Sequence, residues 1–163
     1  MAAPKLSTVQ GLVIELIVAA AAKTGSILAG IPIARDGFGY MDPDAENAPD
    51  KIIVKATTEG GPGLAIYVSY PVLTRRDSTV NGTSVIKAII PVILGENPRV
   101  NQVDAGGLNR DPLQVVEAIW AAVKGRSNGP QSFDVEQTPM GTVVDGQGDR
   151  IYQLYLECPI LVG

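Results

Sequence analysis

Histidine is absent from this chain of 163 residues, and cysteine occurs only at Cys158. The lack of histidine removes the usual general base, the usual zinc ligand and the usual pH-sensing side chain. A single cysteine excludes an intrachain disulfide, and Cys158 as a nucleophile would have no histidine to activate it. These absences predict that the protein is not an enzyme and that it has no catalytic residues, no cofactor and no metal site.

Charged and aromatic side chains are also scarce. Charged residues make up 18% of the chain and aromatic residues 5%, whereas hydrophobic residues make up 45%. Because a typical globular chain has about 25% charged residues, this surface is poor in charge, and the core must be mainly aliphatic. The net charge of −4 argues against nucleic-acid binding, which depends on clustered lysine and arginine. A charge-poor surface fits a protein that is covered by partners.

The apolar run at residues 11–22 is interrupted by Glu15 and is too short to span a bilayer. It also lacks the uninterrupted apolar stretch of a signal peptide. We therefore predict no membrane association, a loose arm at residues 1–6 and an amphipathic helix over residues 7–23. The apolar positions of this helix occupy more than one side, which predicts burial by its own sheet or by a neighbouring subunit. They are Leu6, Val9, Val13, Ile17 and Ala20, with Leu12, Leu16 and Ala19 beside them.

Apolar runs separated by turn residues predict several strands. Residues 26–35 contain Pro32, which favours an edge strand because proline cannot donate to the ladder. Strands at 51–58, 64–76 and 83–94 are separated by glycine-rich or Asn-Gly turns and predict an antiparallel meander. Short strands are predicted at 132–137 and 141–144, and a closing strand at 149–162. The alternating apolar positions of the two longest strands are Ile86, Ala88, Ile90, Val92 and Leu94, and Tyr152, Leu154, Leu156, Cys158 and Ile160.

The clearest helix begins at Asp111 and Pro112 and continues to Lys124, because aspartate is a good N-cap and proline is favoured at the first helical position. Its predicted apolar stripe is Leu113, Val116, Ile119, Trp120 and Val123. The order helix, strands, helix, strands predicts an α+β fold. We predict a single domain over residues 1–163, in which an antiparallel or mixed sheet meander packs against two main helices.

Candidate ligand motifs fail on spacing. In the long loop at residues 36–50, Asp42, Asp44 and Glu46 alternate as in a calcium loop, but such a loop needs glycine at its sixth position and glutamate at its twelfth. Those positions hold Asn47 and Ile53. The glycines of residues 60–63 are not followed by the Gly-Lys-Ser/Thr of a phosphate loop, so they predict a turn. A pair of carboxylates, for instance from Asp36, Glu96 or Asp104, is the remaining route to hydrolase chemistry.

The stretch that follows the predicted strand at 83–94 has two possible interpretations. Glu96, Asn97, Arg99 and Asn101 follow the predicted strand at 83–94 and precede a loop that continues to residue 110. Asparagine before proline favours an extended or turn conformation, so simple turn chemistry is one interpretation. An assembly contact is the other. The adjacent arginines at 75 and 76, near a strand end, are predicted to be solvated or to lie in an interface.

The layout resembles the tail-terminator or neck proteins of tailed bacteriophages and phage-like particles. The resemblance covers most of the chain and rests on the first helix, the strand meander and three stretches. These are VILGENPRVN at residues 92–101, LQVVEAIWAAV at residues 113–123 and IYQLYLECPILV at residues 151–162. It implies a structural virion protein of the neck or tail, assembled in the host cytoplasm and taking part in head–tail joining. As a homohexameric ring it would cap the tail tube, with the tube, the sheath and head–tail connector proteins as candidate partners.

The resemblance brings no catalytic residues and makes the loops at 36–50 and 96–110 candidates for ring or tube contacts. Other tail-tube or head–tail connector components are the nearest alternatives. A small-ligand binding module, in which the acidic loop closes over a pocket, is an alternative of a different class, and a carboxylate-based hydrolase is another. The candidate assembly residues are Asp42, Asp44, Glu46, Arg75, Arg76, Glu96, Asn97, Arg99 and Asn101.

Overall fold

The fold is an α+β arrangement in which helices pack on a mixed sheet, which confirms the predicted class. The structure, a computed structural model, describes residues 8–36, 45, 48–80, 83–124, 134–135, 142–144 and 149–162. The predicted arm at residues 1–6 lies outside these residues. The helices are α1 (Val9–Ala21), α2 (Pro49–Thr57) and α3 (Pro112–Val123), with a short 3-10 helix at Val103–Ala105. The strands are β1 (Ile33–Arg35), β2 (Leu64–Val68), β3 (Val72–Val80), β4 (Thr83–Glu96), β5 (Asp134–Val135), β6 (Thr142–Val144) and β7 (Arg150–Val162).

The sheet is built around β4, and the three strands that pair with it, β2, β3 and β7, all run antiparallel to it. On one side β4 pairs with β2 and β3, and on the other side it pairs with β7 continuously from Ser84↔Val162 to Glu96↔Arg150. β1 extends the β2 edge in parallel, whereas β5 and β6 extend the β7 edge in antiparallel pairing. The predicted strands at 83–94 and 149–162 and the predicted edge position near Pro32 are therefore confirmed. The short strands predicted at 132–137 and 141–144 are confirmed over the residues that the structure describes there, which are Asp134–Val135 and Thr142–Val144. The strand predicted over 26–35 is limited to β1, because turns occupy residues 27–30.

β2 and β3 pair one after the other with the same side of β4, and the pairing is interrupted between them. The register changes by one residue between the pairs Val68↔Val92 and Val72↔Ile89, which is the mark of a β-bulge. At the interruption the backbone N–H of Ser69 donates to the carbonyl of Pro91 at 2.9 Å. Proline in a central strand is tolerated next to an irregularity, because its missing N–H breaks no regular ladder there. The single strand predicted over 64–76 is thus two strands, of which β3 continues to Val80.

The strand predicted over residues 51–58 is wrong, because this segment lies in helix α2. β1 and β2 are parallel neighbours, and parallel strands need a crossover connection that is usually a helix. α2 supplies that crossover. The helix begins with Pro49 in its first turn, and Asp50 and Lys55 lie at the ends that the helix dipole favours. The long loop predicted over 36–50 therefore ends before Pro49.

α2 and the other two helices lie on opposite faces of the sheet. A Cβ atom at Gly95 would point at Ile53 of α2, at 3.9 Å. The neighbouring Leu94 belongs to the core that includes α1 and α3, and successive strand residues point to opposite faces. The buried core thus combines α1, α3 and one sheet face. Its largest fully buried side chains are Ile17, Leu28, Leu64, Ile66, Ile90, Leu94, Ile119 and Leu156, with Val9, Val13 and Val68.

The predicted core-facing sides of the long strands are confirmed at eight of their ten positions, whereas Ile86 is only partly buried and the side chain of Ile160 lies outside the described part of the structure. Ala88, Ile90, Val92 and Leu94 of β4 are buried, and so are Tyr152, Leu154, Leu156 and Cys158 of β7. On α1, Val9, Val13 and Ile17 are buried, while Leu12 and Leu16 pack partly against the core. Gln10 is also buried, and its side-chain nitrogen donates to the carbonyls of Asp36 at 2.9 Å and Val68 at 3.1 Å. α1 is therefore fastened to the sheet by hydrogen bonds as well as by apolar packing.

α3 begins where the sequence predicts but presents a different face to the core. The Asp111 side chain accepts a hydrogen bond from the backbone N–H of Leu113 at 2.9 Å, which is the expected N-cap. Val115, Val116, Ile119 and Val123 are buried. Leu113 and Trp120, which were predicted in the buried stripe, are exposed, because the core takes the side of the helix centred between Val115 and Ile119. The buried face of α3 is therefore rotated around the helix axis relative to the predicted stripe.

Candidate assembly surfaces

Asn97 turns the chain at the end of β4 and ties that end to two other elements. Its side-chain oxygen accepts from the backbone N–H of Arg99 at 3.1 Å, and its side-chain nitrogen donates to the carbonyl of Thr57 at 2.8 Å. Its backbone N–H donates to the carbonyl of Gly63 at 2.9 Å. One asparagine therefore combines local turn geometry with hydrogen bonds to the last residue of α2 and to the residue before β2. The turn interpretation describes these bonds directly.

Asn101 holds the other end of the loop that follows. Its side-chain nitrogen donates to the carboxylate of Glu96 at 3.1 Å and to the carbonyl of Arg110 at 2.8 Å. Its side-chain oxygen accepts from the backbone N–H of Arg110 at 3.1 Å. The Asn101 amide thus pairs with the main chain of Arg110 as a neighbouring strand residue would. The Asn101 side chain thus joins the two ends of the segment between residues 101 and 110.

Arg110 links this loop to the turn after α1 by side-chain hydrogen bonds. One guanidinium nitrogen donates to the carbonyls of Ile27 and Ala29. Charge-assisted bonds of this kind are about twice as strong as bonds between neutral groups. The segments around residues 28, 63, 101 and 110, which are far apart in the chain, therefore meet at one end of the sheet.

The carboxylate of Glu96 is buried with incomplete hydrogen bonding. Its Oε2 accepts from Asn101, whereas its Oε1 has no hydrogen-bond donor within the described part of the chain. The Arg150 guanidinium lies 3.8 Å from Oε1, which is an ion-pair distance but is too long for a hydrogen bond. Burial raises the pKa of Glu96. The hydrogen bond from Asn101 and the positive charge of Arg150 lower this pKa in part, and the charge of Asp111 raises it further.

The structure brings some of the predicted residues together and separates others. Glu96, Asn97 and Asn101 form one hydrogen-bonded group, while the side chain of Arg99 beside them is exposed. Arg75 pairs with Ile86, ten residues before Glu96 along β4, so the two sites lie about 30 Å apart at the usual strand rise. Asp42, Asp44 and Glu46 lie outside the described residues. A role in assembly stays a prediction for all nine positions.

β4 is longer than α1, one of the two helices that pack on its buried face. β4 has 14 residues and at the usual rise spans about 45 Å, whereas the 13 residues of α1 span about 20 Å. Ala88↔Cys158 is a buried pair across β4 and β7. Beyond it, β3, β4 and β7 continue as a three-stranded ribbon, which we call the sheet extension: residues 72–80, 83–87 and 159–162. Among the described residues β3 pairs with β4 only, so its other edge has no strand partner among them.

Exposed apolar side chains lie at the start of the sheet extension and on α3. Val72 and Leu73 are the first two residues of β3, and both are about half exposed. On α3, Leu113 and Trp120 are exposed seven residues apart, and the Lys124 ammonium lies 4.8 Å from the centre of the Trp120 ring. Sequence reasoning missed Val72 and Leu73, because an apolar residue in a strand is expected to point inward. The asymmetric pairing of β3 could be recognised only from the sheet order.

Metal binding and thiol chemistry find no support in the described part of the chain. Within the described residues, no three histidine, cysteine, aspartate or glutamate side chains come together to hold a metal ion. Cys158 is buried, and burial raises the pKa of its thiol to about 11, so the thiolate needed for nucleophilic chemistry is disfavoured at neutral pH. Among the helices of the described residues, none has the length and apolar character needed to cross a membrane.

The chain has a weak likeness to solved protein folds. No family model matches the chain, and no curated protein matches it. One solved protein chain aligns at 16% sequence identity with a TM-score of 0.43, covering 92% of this chain and 96% of the other. At this identity and TM-score, neither a family nor a function is transferred to this chain.

Proposed function

We propose that this chain is a structural subunit of a closed ring, in the manner of a tail-terminator or neck protein of a tailed phage or phage-like particle. The observation that carries the proposal is the sheet extension, in which β3 pairs with β4 only among the described residues and so offers its other edge for pairing. An open strand edge carries unpaired N–H and C=O groups that readily pair with another chain. Its first residues, Val72 and Leu73, add exposed apolar surface to that edge.

A ring places this edge in a heterologous contact, in which a different surface of the next copy covers it. Such contacts close into a cycle when the rotation between copies closes. The charge-poor composition supports burial of a large part of the subunit surface, since interface centres are depleted of charged residues. From the sequence resemblance we take two further parts of the proposal. The tail tube and the head–tail connector would be the partners on the two faces of the ring, and the subunit would be located in the virion.

The mass of the purified chain in solution, measured by light scattering at two salt concentrations, tests the proposal. We expect a discrete closed oligomer near the six subunits that the resemblance implies. Leu73→Lys should lower the mass toward that of a monomer, because an edge lysine opposes strand pairing. Val18→Lys is the matched control, because Val18 on α1 is 50% exposed and Leu73 is 49% exposed.

If Leu73→Lys and Val18→Lys leave the oligomer equally intact, the β3 edge is not the contact. A monomer at every concentration calls for a second measurement, which is binding to isolated tail tubes. A chain that remains monomeric and also fails to join tail tubes contradicts the ring proposal as a whole.

A small-ligand binding module is the second candidate, and a groove beside α2 favours it. The groove has a volume of about 500 Å³, and in the described structure Asp50, Lys51, Val54 and Lys55 line it. Lys55 beside the apolar Val54 would suit a small organic anion. A thermal-shift screen with carboxylates and phosphates tests this function, since a ligand that binds only the folded state raises the melting temperature. Loss of that shift in Lys55→Ala would locate the ligand at α2.

A further inference from the structure

Glu96 is a buried acid that receives too few hydrogen bonds for its ionised form. Its side chain is 4% exposed. One carboxylate oxygen accepts a hydrogen bond from Asn101, and the other has no donor among the described residues. An ionised carboxylate is costly to bury unless donors replace the water that it has lost. The site therefore favours the carboxyl group in its protonated form.

The charged groups around Glu96 do not remove this preference. Arg150 approaches from β7 at 3.8 Å, but nearly half of its side chain is exposed, so water screens its charge. Asp111, at the start of α3, adds a second negative charge nearby. The guanidinium of Arg110 is bound to carbonyls of the turn after α1, and on the β2 side Glu96 pairs with the apolar Leu64.

The same hydrogen bonds connect Glu96 to the segment 97–110. The Asn101 side-chain nitrogen is shared between the Glu96 carboxylate and the Arg110 carbonyl, and its oxygen accepts from the Arg110 N–H. Asn101 therefore cannot leave Arg110 without also leaving Glu96. When Asn101 moves away, the carboxyl group gains access to water. The ionised acid gains more from that water than the protonated acid does.

We propose that Glu96 is a proton-binding site that controls how firmly the segment 97–110 is held against the end of the sheet. The protonated acid keeps the segment closed. Ionisation favours opening, because opening hydrates the carboxylate. The segment presents Arg99 and Val103 to solvent, and Val103 is 69% exposed, so the surface that these side chains offer changes with pH. This inference stands independently of the ring proposal.

The direction of the pH dependence follows from which state, closed or open, binds the proton of Glu96 more tightly. The closed structure raises the pKa of Glu96 above its ordinary value of 4.5, so the closed state binds the proton more tightly than the open state does. The stabilisation is therefore complete below pH 4.5 and is lost as the pH rises through the raised pKa. Each unit by which the measured pKa exceeds the ordinary value corresponds to about a tenfold change in the opening equilibrium.

Nuclear magnetic resonance on the full chain tests the proposal without any mutation. Carbon-13 labelling of the glutamate carboxyl groups gives the titration midpoint of Glu96, which we expect above 4.5. The Asn101 side-chain amide and the Arg110 backbone amide should titrate with the same midpoint. Hydrogen-exchange protection of the Arg110 amide, corrected for the intrinsic pH dependence of exchange, should fall as the pH rises through that midpoint.

Glu96→Gln mimics the protonated acid, and we expect protection of the Arg110 amide in this variant to be independent of pH. Glu117→Gln, at an exposed position on α3, is the matched control and should keep the wild-type profile. A Glu96 midpoint at or below 4.5 overturns the proposal, and so does an Arg110 amide whose protection ignores the Glu96 titration. If Glu96→Gln does not fold, the wild-type titration alone decides between these outcomes.

Discussion

A Cβ atom at Gly63 would lie only 2.5 Å from the Cα of Asn101 and would also overlap the Asn101 backbone nitrogen. Gly63 precedes β2, and Asn101 lies in the loop after β4, so this contact joins two segments that are distant in the chain. Gly63 also has a φ of +83°, a conformation that favours glycine. Its carbonyl accepts from Asn97. The glycine-rich turn is thus a packing surface for the group formed by Glu96, Asn97 and Asn101.

Replacement of Gly63 should destabilise the protein more than replacement of Gly60 in the same turn. Both have positive φ, but a Cβ at Gly60 would meet no atom within 4 Å. We expect Gly60→Ala to cost about 1–2 kcal/mol for backbone conformation, and Gly63→Ala to cost about 1–3 kcal/mol more for overpacking. Urea denaturation measures both free energies of unfolding. Equal losses would show that Gly63 does not pack against Asn101 in solution.

Asn101→Ala should be among the most destabilising polar substitutions in the described part of the chain. The change removes three side-chain hydrogen bonds and leaves the N–H and carbonyl of Arg110 without their partner. Because each buried polar group left unpaired costs about 1–3 kcal/mol, we expect a total loss of about 3 kcal/mol. The neighbouring Gln102 is exposed, and Gln102→Ala should stay within about 0.5 kcal/mol of wild type. Similar losses for the two variants in chemical denaturation would contradict the assigned hydrogen bonds.

The rotation of α3 can be tested with two aliphatic residues of the same helix. Ile119 is buried, whereas Leu113 is 52% exposed. We expect Ile119→Ala to lower the free energy of unfolding by about 2–5 kcal/mol through cavity formation. Leu113→Ala should cost less than about 1 kcal/mol, because much of its side chain is already in water. If Leu113→Ala costs as much as Ile119→Ala in thermal or urea denaturation, the helix presents the stripe predicted from sequence instead.

The thiol of Cys158 should be unreactive in the folded protein. With a pKa of about 11, about one thiol in a thousand is ionised at pH 8, and the side chain is buried. We expect a thiol reagent such as dithionitrobenzoate to react with the native chain only at the rate of unfolding, and rapidly in denaturant. Fast reaction of the native protein at pH 8 would contradict the burial of the closing strand.

Local patterns were enough for the elements whose signals lie within a few residues. Asp111 and Pro112 mark the start of α3, and strict alternation identifies the core face of β4 and of β7. The same reasoning failed at residues 51–58, where Ile52, Ile53 and Val54 favour a strand by their branched side chains. These residues lie in α2, because the parallel pairing of β1 and β2 requires a crossover and Ile53 packs over Gly95 on the second face of the sheet.

For the candidate site, too, some features could be predicted from the sequence and others could not. The sequence by itself determined that Asn97 and Asn101 stand in a turn-forming stretch, and that no histidine and no second cysteine supports catalysis. Only the tertiary structure decided which partners these asparagines bind, because Thr57, Gly63 and Arg110 reach them from distant parts of the chain. Only the tertiary structure also decided which apolar side chains stay exposed, because exposure depends on where the helical layer ends and which strand edge remains unpaired. Hydrogen bonds within a turn are local and can be predicted from neighbouring residues, whereas burial depends on contacts between segments brought together by folding.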